Sequence, residues 1–143
     1  LLKFWGKCMD KNVKRIKDYA DEILSYSENN ALRSIDELKL KIDLKEDKFH
    51  LGLGWLAKSK DLQKISNEGK ESNQSIINQD VRKNAERIKR VLKNQSKKNV
   101  ATLSKISELP SNDVYAAIGF LAREDKIRIF DGRTLQQKFS LKE

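Results

Sequence analysis

One histidine, His50, and one cysteine, Cys8, are all that the chain offers of the two most versatile side chains. A zinc site of the usual kind needs three or four Cys, His or carboxylate ligands held together, so no metal and no cofactor is expected. A single cysteine permits no internal disulfide, which fits a reducing, cytoplasmic setting. No Cys–His or Ser–His–Asp arrangement can be defended, because His50 lies on a segment whose other residues read as a packing helix. Gly52-Leu53-Gly54 sits inside that same helix and does not follow a strand, so it is no phosphate-cradling loop. The carboxylates fall mostly on exposed faces and helix caps. Catalysis is not expected of this chain.

The chemistry that is abundant is cationic. The formal net charge is +9 and the pI about 9.6, an excess that attracts polyanions, of which nucleic acid is the commonest in a cell. A composition rich in Lys and Asn produces the same excess without any partner, so the positions of the charges matter more than their sum. Residues 81–90 carry five cations and one acid: Arg82, Lys83, Arg87, Lys89 and Arg90 against Glu86. Lys93, Lys97 and Lys98 follow. Lys11, Lys14, Arg15 and Lys17 form a second group, and Arg128, Arg133 and Lys138 a third. Phosphate contacts from such groups give affinity and position but carry no base sequence. A charge run also serves simply as a solvated face.

Charged residues make up 36% of the chain and hydrophobic residues 38%, so modest cores must be wrapped in large polar surfaces. No apolar run approaches the roughly 18 residues of a membrane span. The opening Leu1 to Cys8 is too short and too interrupted by lysine for a secretory signal. Residue 1 is not Met, so residues 1–8 read as an N-terminal extension of a fragment, or as upstream of a start at Met9.

The elements that carry these charges come from an internal repeat. Shifted by 65 positions, Ala20, Ile23, Leu38, Leu44, Gly54, Leu56 and Ala57 meet Ala85, Ile88, Leu103, Leu109, Gly119, Leu121 and Ala122, all identical. Ile16, Ile35, Phe49, Leu53, Trp55, Lys58 and Leu62 meet residues of like character. The shared positions are mostly apolar and keep one register, which marks two copies of one structural unit. Copy one is expected over 9–76 and copy two over 77–143.

Each copy reads as three helices and a hairpin. Ile16, Tyr19, Ala20 and Ile23, and in copy two Val81, Ala85, Ile88 and Leu92, recur at spacings of three and four, the mark of one helical face. Asp80 stands where an N-cap belongs. A short second helix carries Ile35, Leu38 and Ile42, or Val100, Leu103 and Ile106. A turn at Leu44-Lys45 or Leu109-Pro110 leads to the third helix, with Pro110 at its start, Ser111 as cap and Asp113 complementing the dipole. The period then changes to two. Ile127 to Phe130 reads as a strand, Asp131-Gly132 as a tight turn and Leu135 to Leu141 as the returning strand. Copy one has a weaker version, with Leu62 to Ile65, a turn at Asn67 to Lys70, and a return ending near Ile76. The expected fold is therefore mainly α with small β wings, a tandem winged helix-turn-helix.

Gly52 to Leu62 and Ala117 to Ile127 also carry a family resemblance. Ile118-Gly119-Phe120-Leu121-Ala122-Arg123-Glu124, followed by Lys126-Ile127, resembles the helix-to-wing junction of a family of small bacterial and archaeal winged-helix domains with no assigned activity. Leu53-Gly54-Trp55-Leu56-Ala57-Lys58 keeps the pattern but has Ser59 in place of the acid. The resemblance implies the fold, and a function only through its DNA-binding shape.

In a helix-turn-helix protein the outward face of the third helix reads bases in the major groove. At about 100° per residue, that face is Asp47, Leu51, Gly54 and Lys58 in copy one, and Asn112, Ala116, Gly119 and Arg123 in copy two. It is poor in base-reading side chains. A mid-helix glycine costs roughly 1 kcal/mol against alanine, so Gly54 and Gly119 point to close backbone approach, with Leu51 and Ala116 completing an interface to the other copy, a second chain or a protein partner. His50 and Tyr115 flank this face, either touching phosphate or covering the core edge. The expected partner is DNA, met mostly at phosphates by Lys48, His50, Lys58, Lys97, Lys98, Asn112, Tyr115, Arg123, Arg128 and Arg133, in a transcription regulator or weakly specific chromosome-associated factor. The competing expectation is a non-catalytic adaptor built from the same two copies.

Overall fold

The computed structural model describes residues 11–30, 34–58, 71–94, 97–130 and 137–142. Helices α1 (Lys11–Asn29), α2 (Ile35–Lys41) and α3 (Glu46–Ala57) form the first half. The second half comprises α4 (Glu71–Val91) with a 3₁₀ turn at Leu92–Asn94, β1 (Lys98–Asn99), α5 (Val100–Ser107), α6 (Ser111–Arg123), β2 (Ile127–Phe130) and β3 (Lys138–Leu141).

Sequence spacing explains the first helix of each half. On α1, Val13, Ile16, Ala20 and Ile23 are buried, while Lys14, Arg15, Lys17 and Asp18 are exposed. On α4, Val81, Ala85, Ile88 and Leu92 of the following turn are buried in the same way. The second helices start from matched caps. Ser34 accepts the Glu37 N–H and Asn99 accepts the Thr102 N–H, at 3.1 and 2.9 Å. Ser34 and Glu37 have the Ser-x-x-Glu spacing of a capping box, and such a cap contributes about 1 kcal/mol.

The third helices begin at positions 65 apart, Glu46 and Ser111, each preceded by a residue without a side-chain cap bond. Pro110 thus takes the cap position expected for Ser111. Its extended backbone is already set, and its carbonyl accepts the Val114 N–H at 3.1 Å, so the missing proline N–H costs nothing there. Helix α6 ends in a Schellman motif. Lys126 N–H donates to the Leu121 carbonyl and Asp125 N–H to that of Ala122, both at 3.0 Å, with Asp125 left-handed at φ 59°. That turn launches β2.

The sheet is antiparallel in the order β1-β3-β2. Ile127 faces Leu141, Ile129 faces Phe139 and Phe130 faces Lys138, while Lys98 pairs with Phe139 from the other side. Three helices closed by this sheet are the winged-helix plan. Strand β1 is an addition to the expected hairpin; two residues are too few to show a period. The return strand starts at Lys138 and not Leu135, and the expected turn at Asp131-Gly132 lies outside the described residues.

Two expectations about the middle of the chain are corrected. The return strand of a first wing, ending near Ile76, does not form, because residues 71–76 belong to α4. Asp80 accordingly lies within that helix and caps nothing. The physical reason is visible in the spacing. Ile77 stands four residues before Val81 and continues the apolar register backward, and neither Gly nor Pro intervenes after Gly69. The other parts of that wing, Leu62 to Ile65 and Asn67 to Lys70, lie outside the described residues.

The halves share one core. Buried residues from α1 (Ile16, Ile23), α3 (Phe49, Leu56), α4 (Ile88), α6 (Ile118, Leu121) and β3 (Phe139) belong to a single cluster. Asn12, buried on α1, donates from Nδ2 to the Ile129 carbonyl at 3.2 Å, so the first half covers part of the outer edge of β2. Edge strands commonly need such cover.

Candidate nucleic-acid interface

The third helices are packed against each other. Among the described elements, α3 packs most extensively against α6, and every residue of α3 from Leu51 to Ala57 is buried. A Cβ on Gly54 would overlap the Ala116 carbonyl, lying 2.6 Å from its carbon; one on Gly119 would overlap the Leu51 carbonyl and sit 3.0 Å from the Trp55 nitrogen. The two helix backbones therefore touch where the glycines lie. The contact is reciprocal, since Ala116 stands 65 positions after Leu51 as Gly119 does after Gly54. Two copies of a subunit meet in this way across a twofold axis.

Polar pairs close the seam at both ends. Asn112 Nδ2 donates to Glu46 Oε1 at 2.6 Å near the helix starts, and Lys58 pairs with Glu124 at 2.8 Å near the helix ends. The helices thus run in the same direction. Lys58 also lies 5.3 Å from the Phe120 ring centre, and Arg123 lies 5.5 Å from that of Trp55 while donating to the Trp55 carbonyl at 3.2 Å. This is a second reciprocal pair, each cation covering the other half's aromatic ring.

His50 and Tyr115, also 65 apart, flank the seam half-buried. Burial, with Lys39 adding to it, pushes the His50 imidazole below its ordinary pKa, against opposing pulls from Glu46 and Asp113. Its Nε2 is buried with no hydrogen-bond partner among the described residues. The Tyr115 hydroxyl is pushed up, first by burial and then by Asp47 of the other half. Lys48 lies over the Tyr19 ring, 5.7 Å from its centre.

The expected contact residues accordingly divide into two groups. Asn112, Arg123 and Lys58 are paired across the ends of the seam, with His50 and Tyr115 at its flank. Lys97, Lys98 and Arg128 lie at the sheet, and Arg133 falls outside the described residues. On β2 and β3, Ile127, Ile129 and Phe139 are buried while Arg128 and Lys138 are exposed. The register puts Arg128 opposite Ser140 and Phe130 opposite Lys138, so Arg128, Phe130 and Lys138 share one face with the buried Ser140. Lys97 caps that face, its Nζ 4.1 Å from the Phe130 ring centre. Three cations and one aromatic ring are gathered there. Phe130 and Glu124 were not foreseen as site residues; the alternation of β2 marks the first, and no sequence spacing marks the second.

Residues 77–136 match the model of a winged helix-turn-helix domain family, DUF2582. The match covers less than half of the chain and lies in the half that carries the sheet. No curated protein and no solved structure matches this chain. Among the described residues, no group of three or more His, Cys, Asp and Glu is placed to hold a metal ion, and no helix is long and apolar enough to cross a membrane.

Proposed function

We propose that the chain is a non-catalytic, DNA-binding protein of two winged-helix copies that grips duplex DNA at its phosphates through the outer sheet face of the second copy. The family match supports a DNA-binding role for that half. The observation that carries the finer reading is the burial of both third-helix faces in the seam: the groups that would read bases are spent on joining the halves, while Lys97, Arg128 and Lys138 face outward. Binding of this kind is strongly salt-dependent and weakly sequence-dependent.

The test is fluorescence anisotropy with a labelled random duplex over a salt series, comparing the native chain with Arg128→Ala/Lys138→Ala. A steep negative slope is expected, shallower by about 2 in the double variant. Absence of binding at low salt would overturn the reading. The occluded third helices equally favour an adaptor whose copies join other proteins, and that second reading then takes its place.

A further inference from the structure

A groove on the second half lies where the end of α4 meets the end of α5. It has a volume of about 420 Å³ and is lined by Arg87, Arg90, Val91, Ile106, Ser107 and Glu108. Helix α5 stops there because Glu108 turns left-handed, at φ 62°. The Ser107 carbonyl, one of those a helix end leaves without an internal partner, accepts a bond from Arg87 Nη1 at 3.1 Å. The guanidinium is thereby fixed at the rim, with one of its five N–H donors used in that bond. Arg90, three residues on and so on the same side of α4, is exposed and makes no ion pair among the described residues. Between them lies apolar surface: Val91 is half-buried and Ile106 is 53% exposed.

The positions 65 earlier hold different chemistry. Glu22 stands for Arg87, Ser25 for Arg90 and Lys41 for Ile106, while Asp43 keeps the carboxylate of Glu108. The helices there use the same core positions and the same kind of N-terminal cap, and α2 ends at an extended Ile42 with neither two arginines nor an isoleucine beside it. Only the second half assembles them.

We infer that this groove binds an acidic peptide segment of a partner protein, its apolar side chain resting on Ile106 and Val91 and its flanking carboxylates paired with Arg87 and Arg90. Guanidinium groups suit carboxylates because the planar fork can donate two parallel bonds. A duplex phosphate track fits less well. It has no apolar side chain to cover Ile106 and Val91. The inference is independent of the DNA reading, which rests on the sheet face.

The experiment is a titration of the ¹⁵N-labelled full chain with a synthetic peptide bearing a Leu-Leu pair flanked on both sides by Glu-Asp. Saturable amide shifts are expected at Arg87, Arg90, Val91, Ile106 and Glu108. Arg90→Ser and Ile106→Lys install the first-half residues at exposed positions, and each should weaken binding about tenfold with the remaining spectrum unchanged. Three results would overturn the proposal: no saturable shifts, unchanged affinity in Ile106→Lys, or random duplex DNA giving the same groove shifts and displacing the peptide.

Discussion

The two glycines of the seam invert an ordinary rule. Alanine in place of glycine within a helix normally stabilises by about 1 kcal/mol, yet at Gly54 and Gly119 the new methyl group meets a carbonyl of the facing backbone. Backbone cannot move aside as a flexible side chain can, so overpacking should dominate, at about 2 kcal/mol of net destabilisation. Urea unfolding of Gly54→Ala and Gly119→Ala measures this, and any gain in stability would contradict the seam. His50 makes a second prediction at this scale. Its imidazole is held below the ordinary value when folded, so the unfolded chain binds the proton more readily. Its contribution to stability is therefore fully present above a pH of about 6.5 and declines as pH falls below that. Melting temperatures of His50→Gln should depend less on pH across that window than those of the native chain. The identity of both glycines was legible as a repeated oddity. Close backbone approach was legible too, but not which backbone, the other copy's or a second chain's, because a sequence shows that a side chain is missing and not what fills the space.

At the scale of elements, the outward faces of the third helices carried their meaning in their spacing. Asp47, Leu51, Gly54 and Lys58 recur at four, three and four residues, as do Asn112, Ala116, Gly119 and Arg123. This is the interval by which one helix follows another in parallel, and it is equally the arc a recognition helix presents to DNA. The ambiguity is physical, since both partners need one exposed stripe. The structure favours packing, and a prediction separates the two. Asn112→Ala and Arg123→Ala should lower the melting temperature while leaving duplex affinity and its salt slope unchanged, whereas a base-reading or phosphate-gripping role would move the affinity. The long start of α4 was misread because residues 71–75 are polar, and polar residues without glycine or proline are tolerated by a helix as readily as by a loop.

For the molecule as a whole, the pattern of core positions was legible in large part: most apolar residues at repeated positions are buried, from Ile16 and Val81 to Leu56 and Leu121, while Ile35, Leu44, Val100 and Leu109 are half-buried. The arrangement of the halves was not, because equal apolar stripes fit two separate domains as well as one fused core. Since one cluster draws on α1, α3, α4, α6 and the sheet, the halves should unfold together. Calorimetry should give a single transition with matching calorimetric and van't Hoff enthalpies; two resolved transitions would show that the seam does not couple them.

The reciprocity of that seam has a consequence for how the protein can change. In a dimer of identical subunits, one altered codon alters both sides of the contact, so every novelty is imposed twice and must suit both. Here the two sides are written separately. Glu124 pairs with Lys58, whereas its counterpart position holds Ser59, and the groove arginines have no match at Glu22 and Ser25. One half can keep the joint sound while the other acquires a task of its own.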